Sequence, residues 1–424
     1  MTFIRVLTNP SRCMQRLGFL KYLVWKASHS ATNNLSTLGK DLIDTVSQKV
    51  SVWLTPQLQE YINSALTDSV YKSLRVIASK PLDESLDQPL IQLELQDLFL
   101  ADLGIPSRRG RLVKEDWRRY PYLAVHLGLL RSGTYSILVR GMAFLSLVSE
   151  EEINSFAIIG NARSYNRNAN PLRLDSSQKL LLLFSFLNND GETLEELYKK
   201  LLSISEPFAE WEAGNYLGDI YQQIAKRSRL KARSGDDLLT IQRILDTANK
   251  IESWKRRPYK GRGARDEAIT LRLEPFVDLG LLSKPDPLAY RYQITDSTRK
   301  FFEPLINAES IEPFLQNSFF EASNRAFNLN AEHRTDREII LPQIQKAYST
   351  LKSPLGYAPI LEVSLLAGIY AITESGAYFE LSESLDTLKS LQKESPELVR
   401  FNVDRWGALT YVKFNGDVVK TLKG

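Results

Sequence analysis

The chain has 424 residues, of which 43% are hydrophobic and 25% charged, and its formal net charge is +4. This composition suits a soluble globular protein of two to four domains, and the bulk charge by itself points to no polyanionic partner. A single cysteine, Cys13, excludes an intrachain disulfide, and the widely spaced His29, His126 and His333 argue against a Cys/His zinc site.

Residues 1–80 are expected as an N-terminal helical region. Leu17 to Trp25 is apolar, but Lys21 interrupts it and no small-residue cleavage site follows, unlike a signal peptide. Val46, Val50, Trp53 and Leu54, then Leu58, Ile62, Leu66 and Val70, recur at helical spacing. Thr55 is placed to cap the second of these helices and Pro56 to sit in its first turn.

A new unit spans 81–159. Leu90 to Leu103 reads as helix and Gly104 to Ser107 as a turn; a second helix is expected from about Leu112 to Leu129, kinked or delayed by Pro121. It closes on Leu127-Gly128-Leu129-Leu130, followed by the turn pair Ser132-Gly133 and an extended run from Tyr135 to Val139. Residues 160–176 are polar and rich in asparagine, a linker or exposed loop.

The next unit is expected over 177–310. Asp175 or Ser176 caps a helix through Leu187, Asn189-Asp190-Gly191 turns the chain, and more helix follows with a break near Ser234-Gly235. The tetrapeptide then returns as Leu279-Gly280-Leu281-Leu282. A turn at Pro285-Asp286-Pro287 leads to Tyr290, Tyr292 and Ile294, which alternate with Arg291 and Gln293 as a strand with one wet face. Asp296 or Ser297 is expected to cap the helix that carries Phe301 and Phe302.

Residues 311–424 form a C-terminal helical region with a candidate third copy. Ile360 to Ile372 and Leu381 to Leu391 read as helices around a break at Ser375-Gly376, and Leu398 to Val403 and Ala408 to Phe414 as extended runs flanking Trp406-Gly407. The tetrapeptide is missing here.

Helix, Leu-Gly-Leu-Leu and hairpin together resemble the winged-helix (winged helix-turn-helix) superfamily: a three-helix core followed by a β-hairpin. Glycine at the helix end has a physical reason, because helices commonly close on a left-handed residue. The resemblance implies a mainly α, multi-domain fold with small β-hairpins. Tandem winged-helix modules are joined to helical N-terminal and inserted segments.

Local charge is far from the bulk value. Residues 107–140 hold eight basic and two acidic residues, a net +6; residues 225–272 hold fourteen and six, a net +8, so the rest of the chain sums to −10. Both basic stretches lead into the helix that ends at the tetrapeptide. In DNA-binding winged helices that helix enters the major groove, where Arg and Lys neutralise phosphates and Arg reads guanine.

The resemblance therefore implies a nucleic-acid contact through Arg108, Arg109, Arg111, Lys114, Arg118, Arg119 and Arg131 in one module, and Lys255, Arg256, Arg257, Lys260, Arg262 and Arg265 in the other. Arg131 and Lys284 would begin the two wings. Tyr120, Tyr122, Trp254 and Tyr259 are read first as core or interface residues and second as base-stacking groups. In the third copy Glu380, Glu383 and Asp386 precede Lys389 and Lys393, which suits the helix dipole but repels DNA.

No phosphate-binding glycine loop and no Gly-x-Ser-x-Gly motif is found. His126 reads as a packed histidine, and Asp236-Asp237 as helix caps before nuclease ligands.

The expectation is a non-catalytic, cytoplasmic protein without cofactor, metal or membrane contact. Its partners are double-stranded DNA and, through the N- and C-terminal regions, other proteins. It would serve as a subunit or adaptor of a prokaryotic DNA-transaction system: phage defence, a mobile element or replication. The alternatives are a winged-helix protein scaffold that binds no DNA, and a divergent metal-dependent nuclease.

Overall fold

A computed structural model describes residues 17–29, 34, 38, 107–108, 111–112, 119–153, 174–232, 235–255, 269–285, 291–404 and 408–419. The expected helices at 46–70 and 90–103 and the 160–171 stretch lie outside these residues. The described chain is mainly helical with small sheets. In order the elements are α1 (Phe19–Ser28), β1 (Ser107–Arg108), β2 (Arg111–Leu112), α2 (Arg119–His126), α3 (Val139–Ser146), α4 (Ser176–Leu201), β3 (Phe208–Ala209), α5 (Glu210–Lys231) and α6 (Gly235–Lys255). Then come α7 (Glu274–Asp278), β4 (Leu282–Ser283), β5 (Arg291–Ile294), α8 (Asp296–Asn307), α9 (Ile311–Asn317), α10 (Phe319–Phe327) and β6 (Glu332–His333). The chain ends with α11 (Arg337–Leu351), β7 (Ala358–Pro359), α12 (Ile360–Tyr370), β8 (Ala377–Tyr378), α13 (Leu381–Glu394), β9 (Val399–Val403) and β10 (Leu409–Phe414).

The central helix is α4. Asp175 caps it, accepting from the Gln178 N–H while Gln178 reaches back to the Asp175 N–H. Leu180 to Phe184, Phe186 and Leu187 are all buried. A helix apolar on every side must be covered on every side, and α5, α8, α9, α10 and α12 do so. The expected break at 189–191 is present as a kink at Asp190 (φ −139°), where two helical segments of α4 meet. Asp190 is held there by Arg272, with Nε–Oδ2 at 2.7 Å and Nη2–Oδ1 at 3.0 Å, both side chains buried. Gly191 follows because a Cβ would come 2.8 Å from Ile311.

The two tetrapeptides close their helices identically. Leu129 N–H donates to the Ala124 carbonyl and Gly128 N–H to Val125; Leu281 N–H donates to Phe276 and Gly280 N–H to Val277. Each is a Schellman closure, with Gly128 at φ +72° and Gly280 at φ +82°. Antiparallel pairing follows at the fourth residue, Leu130 with Ile137 and Leu282 with Ile294. The next helix then docks on the carbonyl of the third residue. At Leu129 that carbonyl accepts from Leu138 N–H, and Gly141 lies so close that a Cβ would sit 2.2 Å from it. At Leu281 it accepts from the Thr295 and Thr298 hydroxyls.

Some boundaries differ from those expected. The first hairpin is one bridge, not a strand from Tyr135 to Val139: Tyr135 has φ +50° and Val139 already begins α3. The tight turn around Gly133 (φ +83°), closed by Arg131 N–H to Ser136, leaves no room for a longer ladder. Leu112, where the helix ahead of this hairpin was expected to begin, is instead part of β2, and the described part of the helix runs from Arg119 to His126 with Pro121 inside it. Thr295, not Asp296 or Ser297, caps α8. In β5 Tyr292 is buried while Arg291 and Gln293 are exposed, the expected wet face.

Two three-stranded antiparallel sheets share one strand order. In the middle unit β3 pairs with β5 and β5 with β4; in the C-terminal unit β7 pairs with β10 and β10 with β9. In both, a two-residue strand between earlier helices adds to the far side of the terminal hairpin. The C-terminal helices and strands fall where the hydrophobic pattern placed them, with Gly376 (φ +62°) at the break.

Helix α1 is part of the core. It packs on α2 and α3, Phe19 meets Tyr120 edge-on at 5.2 Å, and Lys21 is buried in an ion pair with Glu152. Arg140 of α3 pairs with Glu362 of α12 at 3.0 Å, joining the first unit to the C-terminal one. Among the described residues no helix is long and apolar enough to cross a membrane.

Candidate nucleic-acid interface

The first Arg/Gly cluster does not open the helix that ends at Leu127. Arg108 and Arg111 are cross-strand partners in the β1–β2 hairpin, joined through Arg109-Gly110. The described part of α2 runs from Arg119 to His126. Lys255 is the last residue of α6. For Arg108, Arg111, Arg119 and Lys255 the description ends at the backbone; Arg109, Lys114, Arg118, Arg256, Arg257, Lys260, Arg262 and Arg265 lie outside the described residues.

Arg131 is exposed at the start of the turn, beside exposed Ser132, Gly133 and Thr134. Its counterpart Lys284 is not a free wing residue. Its Nζ binds Glu274 Oε1 at 2.7 Å and lies 5.5 Å from the centre of the Tyr292 ring, while the Tyr292 hydroxyl donates to the same Glu274 oxygen at 2.6 Å. That network is largely buried, so Lys284 serves the packing of the hairpin.

Two cations counted in the basic stretches are also internal. Arg140 and Arg272 are buried and paired with Glu362 and Asp190. A buried charge needs a partner, and a linear charge count cannot see one that lies 82 residues away. Of the aromatics, Tyr120 is core and Tyr122 is 42% exposed; Trp254 and Tyr259 carry no described side chain. His126 is half-buried, and burial together with the nearby Arg272 charge lowers its pKa, so it stays neutral at physiological pH.

Exposed cations lie elsewhere as well. Lys226, Arg227 and Arg229 are exposed on the last turns of α5, and Arg243 and Lys250 on α6. Arg227 reaches Glu196 of α4 at 2.8 Å. These side chains were legible only as part of a charge total, because nothing local distinguishes the end of an exposed helix from its middle.

The C-terminal unit has a different chemistry at the head of its last helix. The buried Glu380 carboxylate accepts from the N–H groups of Phe320 (3.0 Å) and Glu321 (2.8 Å), capping α10 from 60 residues away. Burial pushes Glu380 up to about 7, against the pull of those two backbone donors. Glu383 accepts from the Glu380 N–H at 2.7 Å and meets His333 Nε2 at 3.0 Å, and Asp386 pairs with Lys389. Glu380 is therefore engaged inside the unit, whereas the Glu383–His333 and Asp386–Lys389 pairs lie at the surface.

Among the described residues no group of three or more His, Cys, Asp or Glu is placed to hold a metal ion. Comparison with known proteins returns no match: no family model, no curated protein and no solved structure matches the chain.

Proposed function

We propose that this chain is a non-catalytic protein that holds duplex DNA through two winged-helix units, as a subunit or adaptor of a larger prokaryotic DNA-transaction system. The observation that carries the reading is the pair of equivalent junctions: the same left-handed glycine, the same closing hydrogen bonds and the same first hairpin pair. Each follows a stretch of strong local positive charge. Such charge binds phosphates whatever the base sequence, and its contribution weakens steeply with salt. The exposed Arg131, at the tip of the first hairpin, supports a backbone contact there.

The internal pairing of Arg140 and Arg272 narrows the contact to the remaining cations. Proteins are the expected partners of the N- and C-terminal regions. The acids at the head of α13 favour this for the C-terminal unit, because the N-cap Glu380 is buried and bonded to the head of α10 and is not available to a groove.

Duplex affinity measured at two salt concentrations tests the proposal. We expect a steep loss of affinity between them. Changing Arg108, Arg109 and Arg111 together to Ala should weaken binding and flatten the dependence of log K on log salt by about 2 to 3. An unchanged slope would remove the β1–β2 hairpin from the interface. Absence of binding at either salt would leave the protein-scaffold reading in its place.

A further inference from the structure

The C-terminal sheet has one face in the core and one toward solvent. Val399 of β9, Val412 and Phe414 of β10 and Ala358 of β7 are buried beneath it. Side chains alternate across a sheet, so Arg400, Asn402, Tyr411, Lys413 and Pro359 share the outer face. Register sets Arg400 opposite Lys413, Asn402 opposite Tyr411, and Tyr411 opposite Pro359. Tyr357, just ahead of β7, extends the first of these rows, its ring 5.2 Å from the Lys413 Nζ.

Two aromatic rings and two cations therefore meet on this face, and no acid stands among the paired positions. Tyr411 is 44% exposed, Arg400 is exposed, and Tyr357 and Lys413 are half-buried. Among the described residues neither cation has a carboxylate partner, and neither tyrosine hydroxyl has a hydrogen bond. Asp404, just past β9, is occupied in the hairpin turn, where it accepts from the Ala408 N–H at 2.9 Å.

Both rings are aimed by the backbone beneath them. Thr410 is an extra residue between the pairs Leu409–Val403 and Tyr411–Asn402, a bulge of the kind that re-aims a side chain. Its hydroxyl donates to the Asn402 carbonyl at 3.2 Å. The turn ahead of Tyr357 contains Gly356 at φ +80° and is closed by the Ser353 N–H on the Tyr357 carbonyl at 2.8 Å. The Tyr348 hydroxyl holds that turn from below, donating to the Gly356 carbonyl at 2.7 Å. The matching sheet of the middle unit is built otherwise: its Tyr292 is buried, and the exposed Arg291 donates to the Pro207 carbonyl.

Cations without acids favour an anionic ligand, and exposed rings beside them favour one with flat faces. A single nucleic-acid strand offers both. Tyr357 and Tyr411 are diagonal neighbours on adjacent strands, about 7–8 Å apart. That is about twice the roughly 3.4 Å advance per nucleotide of a duplex strand, so each ring can take a separate, unstacked base. In a duplex the base faces cover one another, and an acidic peptide would leave the rings bare.

We propose that the outer face of the β7–β10–β9 sheet binds single-stranded nucleic acid, with Tyr357 and Tyr411 stacking on two bases and Arg400 and Lys413 against the phosphates. This contact is separate from the duplex contact above and does not depend on it.

The test measures binding of the full chain to an oligothymidylate of about 12 nucleotides, to a hairpin-closed duplex of about 12 base pairs, and to polyglutamate. Tyr411→Ala should weaken oligothymidylate binding about tenfold and leave duplex binding unchanged. Tyr411→Phe keeps the ring and should bind like the unmodified chain. Arg400→Gln together with Lys413→Gln should flatten the single-strand salt slope by about 1.4, at about 0.7 per phosphate. Equal affinity of the unmodified chain and Tyr411→Ala for oligothymidylate overturns the stacking platform, and displacement of the strand by polyglutamate would then give the cations to an acidic peptide. An equal loss on the duplex also overturns it, because the ring would then be supporting the fold. Failure of the unmodified chain to bind oligothymidylate overturns it as well, while its affinity for the duplex reports separately on the reading above.

Discussion

The middle and C-terminal units share a strand order but treat the helix ahead of the hairpin in opposite ways. In the middle unit that helix is the short α7, closed by Gly280, and the chain before it carries the strongest positive stretch of the molecule. In the C-terminal unit it is α13, fourteen residues long, whose leading acids cap α10 and hold His333. The same scaffold can leave that helix for an external partner or consume it in internal packing, and the sign of charge at its head goes with the choice.

The largest expected effect breaks the middle unit from inside. Arg272→Ala leaves the buried Asp190 carboxylate unpaired and should cost about 3–5 kcal/mol in denaturant unfolding. Replacing both partners by apolar residues should recover most of that loss; an equal cost for the double change would mean that the pair does more than neutralise itself.

The corresponding lesion in the C-terminal unit is Glu380→Ala. It strands two N–H groups at the head of α10 and should cost about 2–3 kcal/mol at pH 6. Glu380→Gln sharpens the point. Because the folded pKa is raised from 4.5 to about 7, the folded state holds its proton longer than the unfolded state does. Stability from this group is complete below about pH 4.5 and is lost as pH rises through about 7. Glutamine should flatten that decline, read as the pH dependence of the unfolding midpoint. A decline of undiminished size would assign it to another group, with Glu195, also raised to about 7, the first to change.

Smaller effects compare the two tetrapeptide junctions. Gly141→Ala forces a Cβ against the Leu129 carbonyl and should cost about 2–3 kcal/mol, whereas Thr298→Ala removes one hydroxyl from the Leu281 carbonyl at about 1 kcal/mol. Gly128→Ala and Gly280→Ala should be matched, each about 1 kcal/mol, because both glycines have positive φ and neither faces a rigid neighbour. Unequal thermal shifts for that last pair would show that the junctions are alike only in outline.

Much of the local architecture was legible in the residues. Asp175 as a cap, the left-handed Gly128 and Gly280, the alternating face of β5, and the break at Gly376 follow from short-range sterics and hydrogen bonding. The candidate site was less legible. Asn189-Asp190-Gly191 has turn chemistry and does break the helix at Asp190, but its partners, Arg272 on Asp190 and Ile311 against Gly191, lie far away in the sequence. Strands β3 and β7 are two residues each and carry no period to detect. Lys284 has the sequence position of a wing cation, but Glu274 binds it and Tyr292 covers it.

What the sequence determined by itself is therefore where helices end and hairpins begin, since a left-handed residue, a cap or an alternation acts over a few residues. The tertiary structure alone decided which charges remain outside. Folding gave Arg140, Arg272 and Lys284 carboxylate partners in the interior. It also set Arg227 of α5 against Glu196 of α4. Charge is additive along a chain, but its availability depends on partners brought from far away, and only packing determines those.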